Sequence, residues 1–256
     1  MKNLLFIGDV VGKTGCDFLA SKLSGLKKQY NIDVTVVNGE NSSQGNGITE
    51  ESADSIIRAG ADVITTGNHA FRHRDSMHIY ERDFIIRPAN YPEGGCVGKG
   101  VCTLDMGAWS LTVINLMGTA FMDALDNPFT KIDEILENTD SKNILVDFHA
   151  EATSEKKAMG HYLTDRVTAI VGTHTHVQTS DEIILGGGTA YITDAGMTGP
   201  EISCLGADIG PVINTYRFHM PERFTPSANP CFLCGVVIAF DEKTGKSHKI
   251  ERIIIR

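Results

Sequence analysis

The sequence predicts an α/β protein whose strands are buried on both faces. Three observations carry that reading. Short apolar, β-branched runs recur along the 256 residues, helical patterns lie between several of them, and the runs break into polar loops. Continuous apolar runs of this length suit strands covered on both sides. Strand then helix, repeated, is an α/β arrangement, with one mixed sheet or two packed sheets.

The elements follow in order. "NLLFIG" leads into "DVVGKTG"; the apolar run is too short for a secretory leader and reads as a strand. Leu19, Leu23, Leu26 and Tyr30 are spaced four, three and four apart, which makes one helical face. "DVTVVNG" runs into "ENSSQGNG". Thr49 is placed to cap the next helix, with Glu50 and Glu51 in its first turn and Gly60 as its stop. "ADVITTG" runs into "NHAFRHRD", and "GVCTLDMGAWSLTVINL" reads as a hairpin turning at Met106-Gly107-Ala108. "KNILVDF" runs into "HAEATSEK", where Thr153 or Ser154 caps a helix through Leu163. "VTAIVG" runs into "THTHVQT". "ILGGGTA" lacks the GxGxxG spacing of a dinucleotide loop and reads as a hairpin turn. The remainder, with "PVINTYRF" and "CFLCGVVIAFDEKTGKSHKIERIIIR", reads as strand-rich, with a turn at Lys243-Thr244-Gly245. No repeat or linker interrupts the pattern, so one domain over residues 1–256 is expected.

Bulk properties exclude several classes. A formal net charge of -9 argues against a broad nucleic-acid surface, and phosphate binding then needs a local source of positive charge such as metal ions. No segment approaches the ~20 apolar residues of a membrane span. Six cysteines in a chain of this length do not form a disulfide framework, and Cys231-Cys234 lacks a second pair at zinc-ribbon spacing. Reduced thiols and a cytoplasmic location are expected. "GKTG" at Gly12 to Gly15 is not a phosphate-binding P-loop, because position 7 is isoleucine where that frame needs glycine.

Ligands of open α/β sheets collect at the carboxyl ends of strands. The polar residues there are Asp9, Glu40, Asn41, Asn68, His69, His149, His174 and His176. His174 and His176 carry the strongest signal. In an extended segment residues i and i+2 point the same way, and two adjacent imidazoles are best explained by a cation beside them. His73, His78, His161, His219 and His248 have no comparable companions. Nitrogen and oxygen donors without cysteine suit iron, manganese, zinc or magnesium. The donors outnumber those of one tetrahedral ion, which suggests two ions about 3.5–4 Å apart. Two divalent ions bring four positive charges and Asp9 and Glu40 remove two, so the site stays positive and attracts a phosphodiester.

"GDVVGKTG", "NGEN", "TTGNH", "DFHAEATSEK", "VGTHTHVQTSD" and "YITDAGMTGP" resemble the YmdB-like family of bacterial metallophosphoesterases, a branch of the calcineurin-like superfamily. "IIRPANYPEG" and the closing "IERIIIR" extend the resemblance over nearly the whole chain. The resemblance implies a four-layer α/β sandwich of two mixed sheets flanked by helices, with a di-metal centre. It implies Asp9, Glu40, Asn41 and His176 on one metal, and Glu40, Asn68, His149 and His174 on the other, with Glu40 bridging. His69 is then the proton donor. Iron is the metal first implied, with manganese, zinc or magnesium as alternatives. The implied activity is hydrolysis of cyclic nucleotides of the 2′,3′-cyclic AMP class by a hydroxide held between the metals. Some positions depart from the pattern. Val11 replaces the superfamily's histidine two residues after the first aspartate, and Glu40 its common aspartate. Within the branch, Phe71-Arg72 stands where an aromatic-acidic pair is usual, and Met117-Gly118-Thr119 where Gln-Gly-Arg is. Two rival functions use the same site: a nucleotide- or RNA-turnover-linked regulatory protein that mainly binds, and a di-metal hydrolase of another bond such as an amide. No membrane partner is expected, and the sequence is compatible with a homo-oligomer.

Overall fold

Alternation along the first strand sets the layers. In β1 (Lys2–Ile7), Leu4 and Phe6 face one side and Leu5 and Ile7 the other, and all four are buried. The strand is therefore covered on both faces. The computed structural model describes residues 1–92 and 94–256.

The first sheet is seven-stranded. Its path runs β2 (Asp9–Val10), β11 (Met197–Pro200), β12 (Cys231–Phe240), β1, β3 (Val34–Asn38), β4 (Val63–Thr65), with β13 (Ser247–Ile255) also paired to β12. β1, β3 and β4 are mutually parallel, while β12 is antiparallel to β1, β11 and β13. The second sheet is six-stranded, in the order β5 (Val101–Asp105), β6 (Ser110–Met117), β7 (Ile144–His149), β8 (Ala169–Thr173), β10 (Thr189–Ile192), β9 (Ile183–Leu185). Its four central strands are parallel and its two edges antiparallel.

Leu4, Phe6 and Val36 of the first sheet pack against Val113, Leu145 and Val171 of the second, filling the space between them. The outer face of the first sheet carries α1 (Gly12–Gln29) and α2 (Glu50–Ala59), through Leu19, Leu23, Leu26 and Ile56. The outer face of the second carries α3 (Pro128–Glu137) and α4 (Thr153–Tyr162), through Ile132, Met159 and Leu163. Helix, sheet, sheet, helix gives the four layers expected.

Local signals behave as their chemistry dictates. Thr49 accepts from the Ser52 amide and forms a capping box, and Gly60 closes α2 in the left-handed conformation. The three expected hairpins form, β5 with β6, β9 with β10 and, across the Lys243-Thr244-Gly245 turn, β12 with β13. Other readings need correction. "GKTG" lies inside α1, which begins at Gly12 rather than after a long loop. The N-cap of α4 is Ala152, so Thr153 and Ser154 fall within the helix. "PVINTYRF" is helical, within α5 (Ile209–Phe218), not a strand. Pro211 lies in the first turn of α5, where a missing N–H is tolerated, and a short apolar run does not by itself distinguish strand from helix. None of the α5 residues is buried. No helix among the described residues is long and apolar enough to cross a membrane.

All six cysteines are free. Cys231 and Cys234 lie three residues apart on β12 and so face opposite sides, which rules out a shared metal or disulfide. Burial pushes the thiols of Cys16 and Cys234 up to about 12 and that of Cys102 up to about 11. A thiol-specific reagent at pH 8 should therefore modify Cys96 and Cys204 first. Mass spectrometry of the native protein checks this, and rapid labelling of Cys16 would contradict the packing around α1.

Candidate metal centre

β3, β4, β7 and β8 are parallel strands of the two sheets, and their carboxyl ends meet beside β2 at one end of the interface. β2 carries Asp9, the turn after β3 carries Glu40 and Asn41, and the turn after β4 carries Asn68 and His69. His149 is the last residue of β7, and His174 and His176 follow β8. All of these sequence-predicted residues are brought together.

Glu40 stands at the centre and is fully buried. Its Oε1 accepts from Asn41 Nδ2 at 2.6 Å and lies 2.9 Å from His69 Nδ1. Its Oε2 accepts from the His69 amide at 3.1 Å and lies 3.3 Å from His149 Nε2. Each oxygen therefore faces a different group of donors. On one side, Asn41 Nδ2 is 3.1 Å from His176 Nε2, which is 3.6 Å from Asp9 Oδ1. On the other, His149 Nε2 is 3.0 Å from Asn68 Oδ1 and 3.1 Å from His174 Nδ1. Potential ligand atoms of Glu40, His149 and His174 all lie within 4.8 Å of one another.

Two observations fit a cation here. Asp9 Oδ1 is buried and has no hydrogen-bond partner. An orphaned carboxylate oxygen is costly unless a positive charge completes it. The second observation is the tautomer of His149. Its Nδ1 lies 2.9 Å from Thr173 Oγ1, whose hydroxyl donates to Asp147 Oδ1 at 2.7 Å. Thr173 must then accept from His149 Nδ1–H, which leaves a lone pair on Nε2 among the oxygen and nitrogen atoms of Asn68, Glu40 and His174. Burial pushes His149 down to about 4, so its ring is neutral and able to ligate at neutral pH.

The carboxylates stay ionised. Burial pushes Asp9 up, but the His176 ring, 3.6 Å from its Oδ1, outweighs it and holds the group well below the usual range. Burial likewise opposes ionisation of Glu40, and its hydrogen bonds with the His69 ring and amide favour the charged form. His176 is raised despite burial because Asp9 and Glu40 face it.

The geometry of the histidine pair corrects the sequence reading. His174 and His176 do not lie in an extended segment: both have positive φ, at 99° and 65°. A tight turn, rather than a strand, sends one ring toward His149 and the other toward Asp9. Asp194 holds that turn, accepting from the Thr175 amide at 3.1 Å and the Thr175 hydroxyl at 2.8 Å. Lys156, itself 1% exposed, pairs with the same oxygen of Asp194 at 2.7 Å.

Sequence reading missed these supporting residues. Asp147 and Lys156 are ionisable side chains buried in the interior, and the acidic residue inside the apolar run "ILVDF" was the available signal. Gly67 was also missed as a requirement. A Cβ there would meet His149 Nε2 at 2.3 Å and Glu40 Oε2 at 2.5 Å.

A cavity of about 660 Å³ opens beside the donors, lined by Gly45, Asn68, His69, Phe71, Arg72, His73 and Tyr91. Its described lining contains no carboxylate.

Two packed mixed sheets flanked by helices, with oxygen and nitrogen groups gathered at their strand ends, form a fold that other proteins share. The same fold occurs in the calcineurin-like phosphoesterase YfkN from Bacillus subtilis, with a TM-score of 0.60 at 11% identity over 99% of this chain and 90% of that one. The chain belongs to the YmdB-like family, described as YmdB-like protein, whose model matches residues 5–253. It is 47% identical to the 2′,3′-cyclic-nucleotide 2′-phosphodiesterase of Bacillus subtilis strain 168, over 98% of this chain and 96% of that one. The crystal structure of a novel phosphatase from Mycoplasma pneumoniae superposes with a TM-score of 0.95 at 34% identity, covering 99% of this chain and 93% of that one.

Two substitutions probe the donors without replacing them. Gly67→Ala should abolish tight metal binding by displacing His149 and Glu40, while circular dichroism remains that of the folded protein. Thr173→Val removes the acceptor of His149 Nδ1–H and should weaken manganese binding about 10–100-fold in calorimetric titration. Unchanged affinity in Thr173→Val would show that the ring needs no such anchor.

Proposed function

We propose that the protein is a metal-dependent phosphodiesterase acting on 2′,3′-cyclic nucleotides. The observation that carries this reading is the division of donors by the two oxygens of Glu40, next to a cavity free of described carboxylates. The activity named for the Bacillus subtilis relative supports the substrate class.

In this reading Asp9, Glu40, Asn41 and His176 hold one divalent ion, and Glu40, Asn68, His149 and His174 hold the other. The Asn41 amide must turn its Oδ1 inward to ligate, because its Nδ2 now donates to Glu40. Donors of this kind, without thiolate, suit iron first, with manganese, zinc or magnesium as substitutes. The ions supply charge for the phosphoryl oxygens and acidify water for use as the nucleophile. The free thiols fit a reducing compartment, which we take to be the cytoplasm.

His69 manages the proton. Its Nδ1–H is anchored on Glu40 Oε1, while its Nε2 lies 3.4 Å from Asn68 Nδ2. His69 itself lines the cavity, alongside Asn68. A proton on Nε2 passes to the departing ribose oxygen as the cyclic ester opens. Water adds to phosphorus, the P–O bond to the ribose breaks, and a phosphomonoester results. Asn41 and Asn68 fix geometry without cancelling positive charge.

His69→Ala should lower kcat on 2′,3′-cyclic AMP about 10²–10⁴-fold. The loss on a p-nitrophenyl phosphodiester should be far smaller, because that leaving group needs no proton. Metal content, measured by mass spectrometry, should be unchanged. Equal losses on both substrates would remove His69 from proton transfer, and metal-replete protein inert toward every cyclic nucleotide would overturn the phosphodiesterase reading.

A further inference from the structure

We propose that Arg72 binds a second phosphate, on the 5′ side of the nucleotide whose cyclic phosphate lies at the metal donors. The preferred substrates are then 2′,3′-cyclic nucleotides carrying a 5′-phosphoryl group. This rests on the phosphodiesterase reading above.

The cavity sets the frame. At about 660 Å³ it has room for a nucleotide. One part of its lining is Asn68 and His69, where the scissile phosphate belongs. Another is the half-buried pair Phe71 and Tyr91, with ring centroids 5.0 Å apart at 70°. Such an aromatic wall suits a base or ribose face. Arg72 supplies the third feature, a cation on the same cavity.

Arg72 is both held and unspent. Its Nε donates to the Gly45 carbonyl at 2.9 Å. The loop carrying Gly45 lies close against it: a Cβ on Gly47 would meet Arg72 Cβ at 2.9 Å and the His73 ring at 2.8 Å. His73 Nε2 in turn lies 2.8 Å from the Asn46 carbonyl and 2.7 Å from Ser43 Oγ. The terminal nitrogens of Arg72 bond to no described residue, and no described carboxylate pairs with it. Arg82, Arg166, Arg252 and Arg256 each meet one. A guanidinium anchored through Nε presents its other two nitrogens as a fork, the geometry that receives two phosphate oxygens. The cavity thus has an anion-attracting group at two places and an aromatic wall, which matches a nucleotide with phosphate at both ends of its ribose. A free 5′-phosphate and the internucleotide phosphate of an RNA 3′ end offer the same chemistry.

Steady-state kinetics on the metal-loaded full chain test this with three substrates. They are 2′,3′-cyclic AMP, its 5′-phosphorylated form, and an adenosine dinucleotide ending in a 2′,3′-cyclic phosphate. The 5′-phosphate should raise kcat/KM about tenfold, mainly through KM, as expected for a charge-assisted contact. Arg72→Gln should remove most of that advantage. An advantage limited to the monoester assigns the site to a terminal phosphate, and one shared with the dinucleotide assigns it to an RNA end. Equal kcat/KM for all three substrates, an advantage that survives Arg72→Gln, or an equal loss on every substrate overturns the role of Arg72. Absence of hydrolysis throughout sinks the phosphodiesterase reading on which it rests.

Discussion

The carboxylate of Asp147 joins the two sheets at the end where the site lies. It is fully buried on β7 of the second sheet. Thr65 Oγ1 donates to its Oδ2 at 2.5 Å and Asn38 Nδ2 at 3.0 Å, both from the first sheet, while Thr173 of β8 donates to Oδ1. Burial pushes this carboxyl up to about 7, and its donors oppose the rise. A charge in that position is costly unless its hydrogen bonds are complete. The strand ends of β3, β4, β7 and β8 must therefore stay in register across the interface. Those same ends project Glu40, Asn68, His149 and His174, so one buried group ties sheet packing to the placement of donors.

The turn after β8 adds a local strain that has to be offset. Non-glycine residues with positive φ cost about 1–3 kcal/mol each when strained, and this turn contains two. Asp194 answers with bonds to the backbone and hydroxyl of Thr175 and accepts from the Gly196 amide at 2.9 Å. Charge-assisted bonds contribute about 1.5–3 kcal/mol each, enough to hold the turn. Burial raises the pKa of Asp194 and Lys156 beside it opposes the rise. Lys156 comes from α4, so the outer helix layer reaches through to the histidine turn.

Much of the scaffold was legible because it rests on local signals. Apolar runs announced the strands, and Thr49 and Gly60 announced both ends of α2. The donors were also legible as residues, since polar groups recur just where those runs break. Their arrangement was not. Positive φ at His174 and His176 depends on Asp194 and Lys156, which are distant in sequence and meet only in the fold. α5 was misread because β-branched residues in "PVINTYRF" favour strand locally, while Pro211 is tolerated in a helix's first turn. α3 was not anticipated, although Asn127 before Pro128 is a helix-start signal and accepts from the Phe129 amide at 2.9 Å. Gly67 stood in plain view within "TTGNH", but its necessity appears only when His149 and Glu40 close on it from separate strands.

Charge explains why an acidic chain can serve an anionic substrate. The whole molecule carries -9, yet the described lining of the cavity holds no carboxylate. In the proposed donor set only Asp9 and Glu40 are anionic; three imidazoles, neutral once they ligate, and two amides would supply the rest. Two divalent ions would leave that set with a surplus of about two positive charges in a buried, weakly screened place. Replacing Asn41 and Asn68 by aspartates would keep oxygen donors but erase the surplus. Under the proposed reading, amides at those positions would preserve attraction for phosphate, and the guanidinium of Arg72, which meets no described carboxylate, would extend the positive field along the cavity wall.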